Sequence, residues 1–259
     1  MPDIRKSLAV LCEEWQDCTA CDLGLRRAAS GGSFVFGEGS PNGILFIGEG
    51  PGKTEEKEGR PFVGESGELL RSIIDKLKIA SYSYITNIVG CRSCTPMTDE
   101  HGLPIVRGNG PLYKDEPPLP AYVTACRPRL EEEIYLVDPV VIVTLGGEAA
   151  SALAGRPVAI TKERGEPFHA SIDGASVVPS LTDKKKQWAR KVKGEVHMPV
   201  EPFQVRYLVV PTFHPAYVLR KLADRGPNNP MDKFVDDVRL AADIHERYLI
   251  ETGARPYAP

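Results

Sequence analysis

The sequence predicts an α/β fold: a three-layer sandwich with a central, mostly parallel sheet flanked by helices and interrupted by two long insertions. Short apolar runs at 44–47, 82–88, 140–145 and 207–210 read as buried strands, each emptying into polar or glycine-rich residues. Helical patterns lie between them, and strands that alternate with helices form a parallel sheet covered on both faces. Two stretches break the rhythm, 95–120 and 170–205, and loops of that length inside a compact domain are functional or disordered. One domain over 1–259 is expected, since a chain of 259 residues can bury one large core with sizeable insertions.

The elements follow in order. Ile4, Leu8, Leu11 and Trp15 recur at helical spacing over 3–16, and the turn at 18–21 ends that helix. The strand at 44–47 opens into Gly48-Glu49-Gly50-Pro51-Gly52-Lys53-Thr54. This loop is not a phosphate-binding P-loop, which needs a glycine at position 47, where Ile47 stands. Pro51 also removes an amide that a phosphate cradle would use. A helix is expected over 67–77, then the strand at 82–88 that carries Asn87. Helices at 121–136 and 148–153 flank the strand at 140–145 and its Gly146-Gly147 turn. The second insertion holds Lys184, Lys185, Lys186, Arg190, Lys191 and Lys193 around Trp188, a pairing of cations and aromatic surface suited to single strands. By itself such a charge run is a solvated loop. His214-Pro215 follows the strand at 207–210, and a helix at 231–249, capped by Asp232 or a neighbour, closes the chain.

Composition bounds the function. Hydrophobic content of 42% and charged content of 26% are ordinary for a soluble globular protein. No apolar run approaches the ~20 residues of a membrane span, and the first residues lack a secretory apolar core, so a cytoplasmic location is expected. A net charge of −3 argues against a surface coated for nucleic acid and leaves room for a local basic groove. The six cysteines are Cys12, Cys18, Cys21, Cys91, Cys94 and Cys126. In a reducing compartment metal ligation explains them better than disulfides. Cys12, on the first helix, reads as a small packed hydrophobe.

In a parallel sheet the carboxyl ends of the strands converge on one rim, so Glu49, Asn87, Gly146-Gly147 and His214 can share a cleft. Five motifs sit at these ends or beside them. They are Gly48-Glu49-Gly50-Pro51-Gly52 with Glu55-Glu56 and Gly59-Arg60-Pro61-Phe62-Val63-Gly64; Thr86-Asn87-Ile88-Val89-Gly90-Cys91-Arg92; Thr124-Ala125-Cys126-Arg127-Pro128; Val143-Thr144-Leu145-Gly146-Gly147; and Phe213-His214-Pro215-Ala216-Tyr217 through Arg220. In this order they resemble the family 4 uracil-DNA glycosylases from Cys18 to about Arg220, sparing the two insertions. Gly50 departs from the alanine usual in that family.

The resemblance implies a uracil-DNA glycosylase-like fold and hydrolysis of the N-glycosidic bond of uracil in single- or double-stranded DNA, leaving an abasic site, by a protein expected to act as a monomer. Phe62 would stack on the extruded base, with Asn87 and the Gly50 amide on its polar edge. His214 would stabilise the departing anion, and Glu49 or Glu55 would hold the water or the sugar cation. Tyr217, Leu219 and Arg220, with Lys184, Lys185 and Lys186, would grip DNA. Cys18, Cys21, Cys91 and Cys126 would ligate a structural four-iron four-sulfur cluster, with Cys94 the rival to Cys91 and zinc the rival metal. Two other readings stay open: a glycosylase for a different or modified base, and a uracil- or DNA-binding relative without turnover.

Overall fold

The structure is a computed structural model that describes residues 4–108, 110–173, 204–222 and 229–253. The basic run with Lys184, Lys185 and Lys186 lies outside the described residues. The chain begins with α1 (Ile4–Trp15), α2 (Asp22–Ser30) and β1 (Glu38–Gly39), then β2 (Ile44–Gly48), α3 (Lys53–Glu58) and α4 (Glu65–Lys76). A 3₁₀ turn (Ala80–Tyr82) leads into β3 (Ser83–Asn87). A ribbon follows, made of β4 (Cys94–Pro96), β5 (Val106–Arg107), β6 (Gly110–Pro111) and β7 (Tyr113–Asp115). Next come α5 (Pro120–Val137), β8 (Val141–Leu145), α6 (Gly147–Ala154), α7 (Ile160–Glu163), β9 (Phe168–Asp173) and β10 (Gln204–Thr212). The last described elements are α8 (Pro215–Arg220) and α9 (Pro230–Thr252). Asn229 caps α9 by accepting from the Met231 amide (2.9 Å), with Pro230 preset for the first helical position.

Among the described residues six strands form one sheet in the order β1-β3-β2-β8-β10-β9. The inner four are parallel, and β1 and β9 run antiparallel at the two edges. From β2 the chain crosses to β3 on one side, while β8 leads on to β10 on the other. The gap between β2 and β8 is therefore the topological switch point, where ligands enter an open α/β sheet. Alternate residues feed the two faces. Ile44 and Phe46 pack with Leu70, Ile73, Phe234 and Val238 under α4 and α9. Leu45 and Ile47 pack with Leu130, Ile134, Ala149 and Leu153 under α5 and α6. Burial on both faces explains why these strands read as unbroken apolar runs.

A buried ion pair lies inside this core. Arg129, on α5, is fully buried and paired with Glu133 one turn on (2.6 Å). Its guanidinium also donates to the Asn87 carbonyl (2.8 Å) and the Ile88 carbonyl (3.2 Å), and approaches Cys126 Sγ at 3.6 Å. Glu133 accepts in addition from Tyr84 Oη (3.0 Å), Thr86 Oγ1 (2.8 Å) and the Gly37 amide (2.9 Å). Removing one partner of a buried pair leaves an uncompensated charge. Glu133→Ala should lower stability by about 3–5 kcal/mol, read as a fall in the denaturant midpoint; a loss below about 1 kcal/mol would mean that water has replaced the carboxylate.

Candidate active site

The ends of β2, β3 and β10 meet as expected. Glu49, Asn87, Phe62 and His214 line one cleft of about 710 Å³, with Arg220 on its lip. Gly48 lies level with Asn87 in the paired strands. A Cβ on Gly48 would stand 2.4 Å from Phe62 Cζ and 2.5 Å from Asn87 Oδ1, so the missing side chain is what lets ring and amide converge. Gly146, at φ +97, backs the cleft in the same way: its Cβ would meet His214 Cβ at 3.2 Å. A methyl on Gly50 would meet Val89 Cγ2 at 3.0 Å.

Phe62 holds a left-handed backbone, φ 53, unusual for a residue with a large side chain. Arg71 pins it, donating from Nε to the Phe62 carbonyl (2.9 Å) and from Nη2 to the Pro61 carbonyl (2.8 Å), while pairing with Glu38 (2.6 Å). Gly67 lets the chain come this close, since a Cβ there would lie 2.0 Å from the Phe62 carbonyl oxygen. The Phe62 ring stands 6.3 Å from the His214 imidazole.

Asn87 is buried, and its Oδ1 has no hydrogen-bond partner. An orphaned acceptor facing a cleft costs about 1–3 kcal/mol unless a ligand or water satisfies it. His214 caps α8 by accepting from the Ala216 amide at Nδ1 (3.1 Å), which leaves the proton on Nε2. Burial, and then Arg220 beside it, push the imidazole down to about 4, so it is a neutral donor. The strand that delivers it is anchored by Thr212 Oγ1, which donates to Asp237 on α9 (2.6 Å).

The two glutamates differ. Burial, reinforced by the neighbouring Glu148 carboxylate, raises the pKa of Glu49. Glu49 has no protein hydrogen-bond partner among the described residues. Glu55, the other catalytic candidate, has both carboxylate oxygens committed to backbone. Oε1 accepts from Val63 (3.0 Å) and Gly64 (2.8 Å), and Oε2 accepts from Gly52 (3.2 Å). Tyr217, a candidate DNA contact, is placed by α8 beside the core. It packs against Phe213, ring centroids 4.9 Å apart, half-buried at the edge of the core, while Leu219 is half-buried and Arg220 exposed. Sequence reasoning missed Glu148, Arg71 and the ribbon residues Ser93, Asp115 and Glu116 that wall the cleft. Only Glu148, three residues past a strand end, carried a readable positional signal.

The cysteines assemble on the other side of the β3 end. Cys18, Cys21, Cys91 and Cys126 line one recess with Leu23, Phe34 and Tyr122, whereas Cys94 stands apart and accepts from Arg26 Nη1 (3.1 Å). All are free thiols. Burial pushes the Cys91 thiol up to about 12, against the pull of Arg27 and with a further push from Cys126 and Cys21. Among the described residues no three metal-ligating groups converge tightly enough to hold one ion. The four thiols line one apolar recess, and such a recess suits a soft thiolate-bound metal centre.

Gly48→Ala should force the Phe62 ring and Asn87 amide apart. A loss of about 1–3 kcal/mol in denaturant unfolding is expected, with a displaced Asn87 side-chain amide resonance in NMR; an unmoved resonance would contradict the convergence.

Comparison with known proteins agrees with this geometry. The family model described as the uracil DNA glycosylase superfamily matches residues 36–239. A type-4 uracil-DNA glycosylase of Thermotoga maritima is 33% identical over 82% of this chain and 83% of its own length. The type-4 uracil-DNA glycosylase of Sulfurisphaera tokodaii is 32% identical over 95% of this chain and 89% of its own. That of Saccharolobus solfataricus is 29% identical, covering 82% and 77%. A match across most of the chain, in a fold that gathers the motif residues into one cleft, places this protein in the uracil-DNA glycosylase superfamily.

Proposed function

We propose that this protein excises uracil from DNA by hydrolysing its N-glycosidic bond, leaving an abasic site. The observation that carries the reading is the unpartnered, buried Asn87 Oδ1 beside the Phe62 ring. It is an acceptor suited to a ring N–H of a planar base stacked in the cleft that both residues line. Such a base must leave the helix, at a cost of a few kcal/mol.

The chemistry follows from the neighbours. As the C1′–N1 bond breaks, its electron pair moves onto the base and negative charge gathers on the base oxygen. The His214 Nε2–H is a neutral donor suited to that oxygen, and it acts in a site where water is scarce. Glu49 takes a proton from the water that attacks C1′, and its nearness to the cationic sugar stabilises the charge there. Glu55 is a positioning residue: it ties the turn at 63–64 to the start of α3 and so fixes the stacking face. Arg220, on the cleft lip, and Leu219 next to it in the chain are suited to hold the displaced DNA strand.

Cys18, Cys21, Cys91 and Cys126 would hold a four-iron four-sulfur cluster, whose contribution is to tie the N-terminal segment to the core. The recess that Cys18, Cys21, Cys91 and Cys126 line, with Cys94 outside it, supports these ligands over Cys94, and the motif resemblance favours the cluster over zinc.

A panel of base-modified oligonucleotides, treated with protein and then alkali, should break only at uracil; a break at another base and not at uracil would overturn the specificity. Glu49→Gln should lower the single-turnover rate by about 10²–10⁴. In the wild type the rate falls as pH drops through the raised Glu49 pKa, so its acid limb lies above the ordinary carboxylate range. His214, neutral until about pH 4, adds no limb near 6.5. A limb that persists in Glu49→Gln would assign the base elsewhere.

Cys126→Ser should lose bound iron and visible absorbance, whereas Cys94→Ser should keep both. Protein purified without oxygen that contains zinc and no iron would exclude the cluster.

A further inference from the structure

Three consecutive residues lead β10 to His214, and one small unit, Arg164-Gly165 with Asp237, holds all three. The Gly165 amide, just past α7, donates to the Pro211 carbonyl (2.8 Å). Thr212 Oγ1 donates to Asp237 Oδ2 on α9 (2.6 Å). The Arg164 guanidinium lies over the Phe213 ring, 5.7 Å from its centroid. Arg164 closes the unit by donating from Nε to Asp237 Oδ2 (2.8 Å), and from Nη2 to Asp237 Oδ1 and to the Lys233 carbonyl (2.9 Å for the carbonyl).

The unit is placed to set position and not to touch substrate. None of Arg164, Thr212 and Asp237 lines the cleft. Asp237 and Thr212 are buried, and a buried charge pair yields little net stability once its desolvation is counted. The approach requires a glycine: a Cβ on Gly165, at φ +73, would meet Asp237 Oδ1 at 2.6 Å. On its other flank the Thr212 carbonyl accepts from the Gly146 amide (2.9 Å), so the strand is held on both sides as it reaches His214. The bond from the Ala216 amide then orients the imidazole. What the unit adds is the place where that ring stands, and a reacting group misplaced by about 1 Å can cost about 10²-fold in rate.

We propose that Arg164 and Asp237 are positioning residues for His214: through Pro211, Thr212 and Phe213 they fix the imidazole where its Nε2–H meets the departing base. The inference rests on the reading of the cleft as a uracil excision site. A donor that strengthens as charge gathers on the base acts on the transition state. A displaced His214 therefore slows bond cleavage and leaves substrate binding, which Phe62 and Asn87 supply, close to unchanged.

The test measures single-turnover excision by the full chain carrying Thr212→Val, Thr212→Ser or Arg164→Ala, each with His214 present and in a His214→Ala background. With His214 present, Thr212→Val should slow excision about tenfold and Arg164→Ala about 10²-fold, at an unchanged half-saturating enzyme concentration. Thr212→Ser keeps the hydroxyl and should stay within about twofold of wild type. In the His214→Ala background every loss should shrink below about twofold, because residues that act through His214 have nothing left to place. Losses of equal size with and without His214 make the unit a brace of the fold and overturn the inference. So do full rates in Thr212→Val and Arg164→Ala, a loss that appears only as weaker binding, or a His214→Ala protein as fast as wild type. In each of these cases wild-type excision still upholds the cleft. If Arg164→Ala does not fold, read by far-UV circular dichroism, the two Thr212 variants decide. A wild type that excises no uracil overturns the reading of the cleft and this role with it.

Discussion

The cleft depends on one buried cation. The Arg129 guanidinium sits where strand β3 stops, and a strand that stops inside a protein leaves carbonyls without ladder partners. By taking the Asn87 and Ile88 carbonyls, Arg129 lets the chain end its strand at a fixed place and present the Asn87 side chain to the cleft. The same group faces Cys126, so the thiol recess and the Asn87 end of β3 share one anchor. Glu133 makes this charge tolerable in the core and collects three further donors from β3 and the approach to β1. A buried charge set like this is a poor source of net stability and a good source of positional definition.

The site divides its carboxylates by what surrounds them. Glu55 meets three backbone amides and becomes part of the fold. Glu49 meets burial and the like charge of Glu148, which hold its proton affinity up. Two glutamates six residues apart thus meet opposite surroundings, one fixed by backbone hydrogen bonds and the other without them. His214 follows the same logic. Its Nδ1 is spent on the helix cap, so only the donor face remains for a substrate.

The parallel strands were legible because both their faces are covered, which writes a continuous apolar run into the sequence. The elements that escaped notice lack that signature. In α2 the buried positions are Leu23, Gly24 and Arg27, which no hydropathy period reveals. The ribbon at 95–120 shows no alternation because both its faces meet solvent, so no polar and apolar sides are set against each other. Glu49, Asn87 and His214 could be picked out as strand-end residues. The task of Glu55 could not, since it depends on amides supplied by a turn folded back from residues 63 and 64. Arg129 was hidden for a related reason: an arginine on a helix reads as surface until its acceptors are known.

The left-handed backbone at Phe62 limits how this pocket can be re-engineered. Valine, isoleucine and threonine, the usual choices for enlarging a slot beside a ring, are the side chains least able to sit at φ 53. Substituting them would spring the turn from its Arg71 clasp before any new base could be tested. Directed evolution toward other bases would therefore find its productive variants at Asn87 and on the opposite wall, with position 62 confined to unbranched or glycine-like replacements.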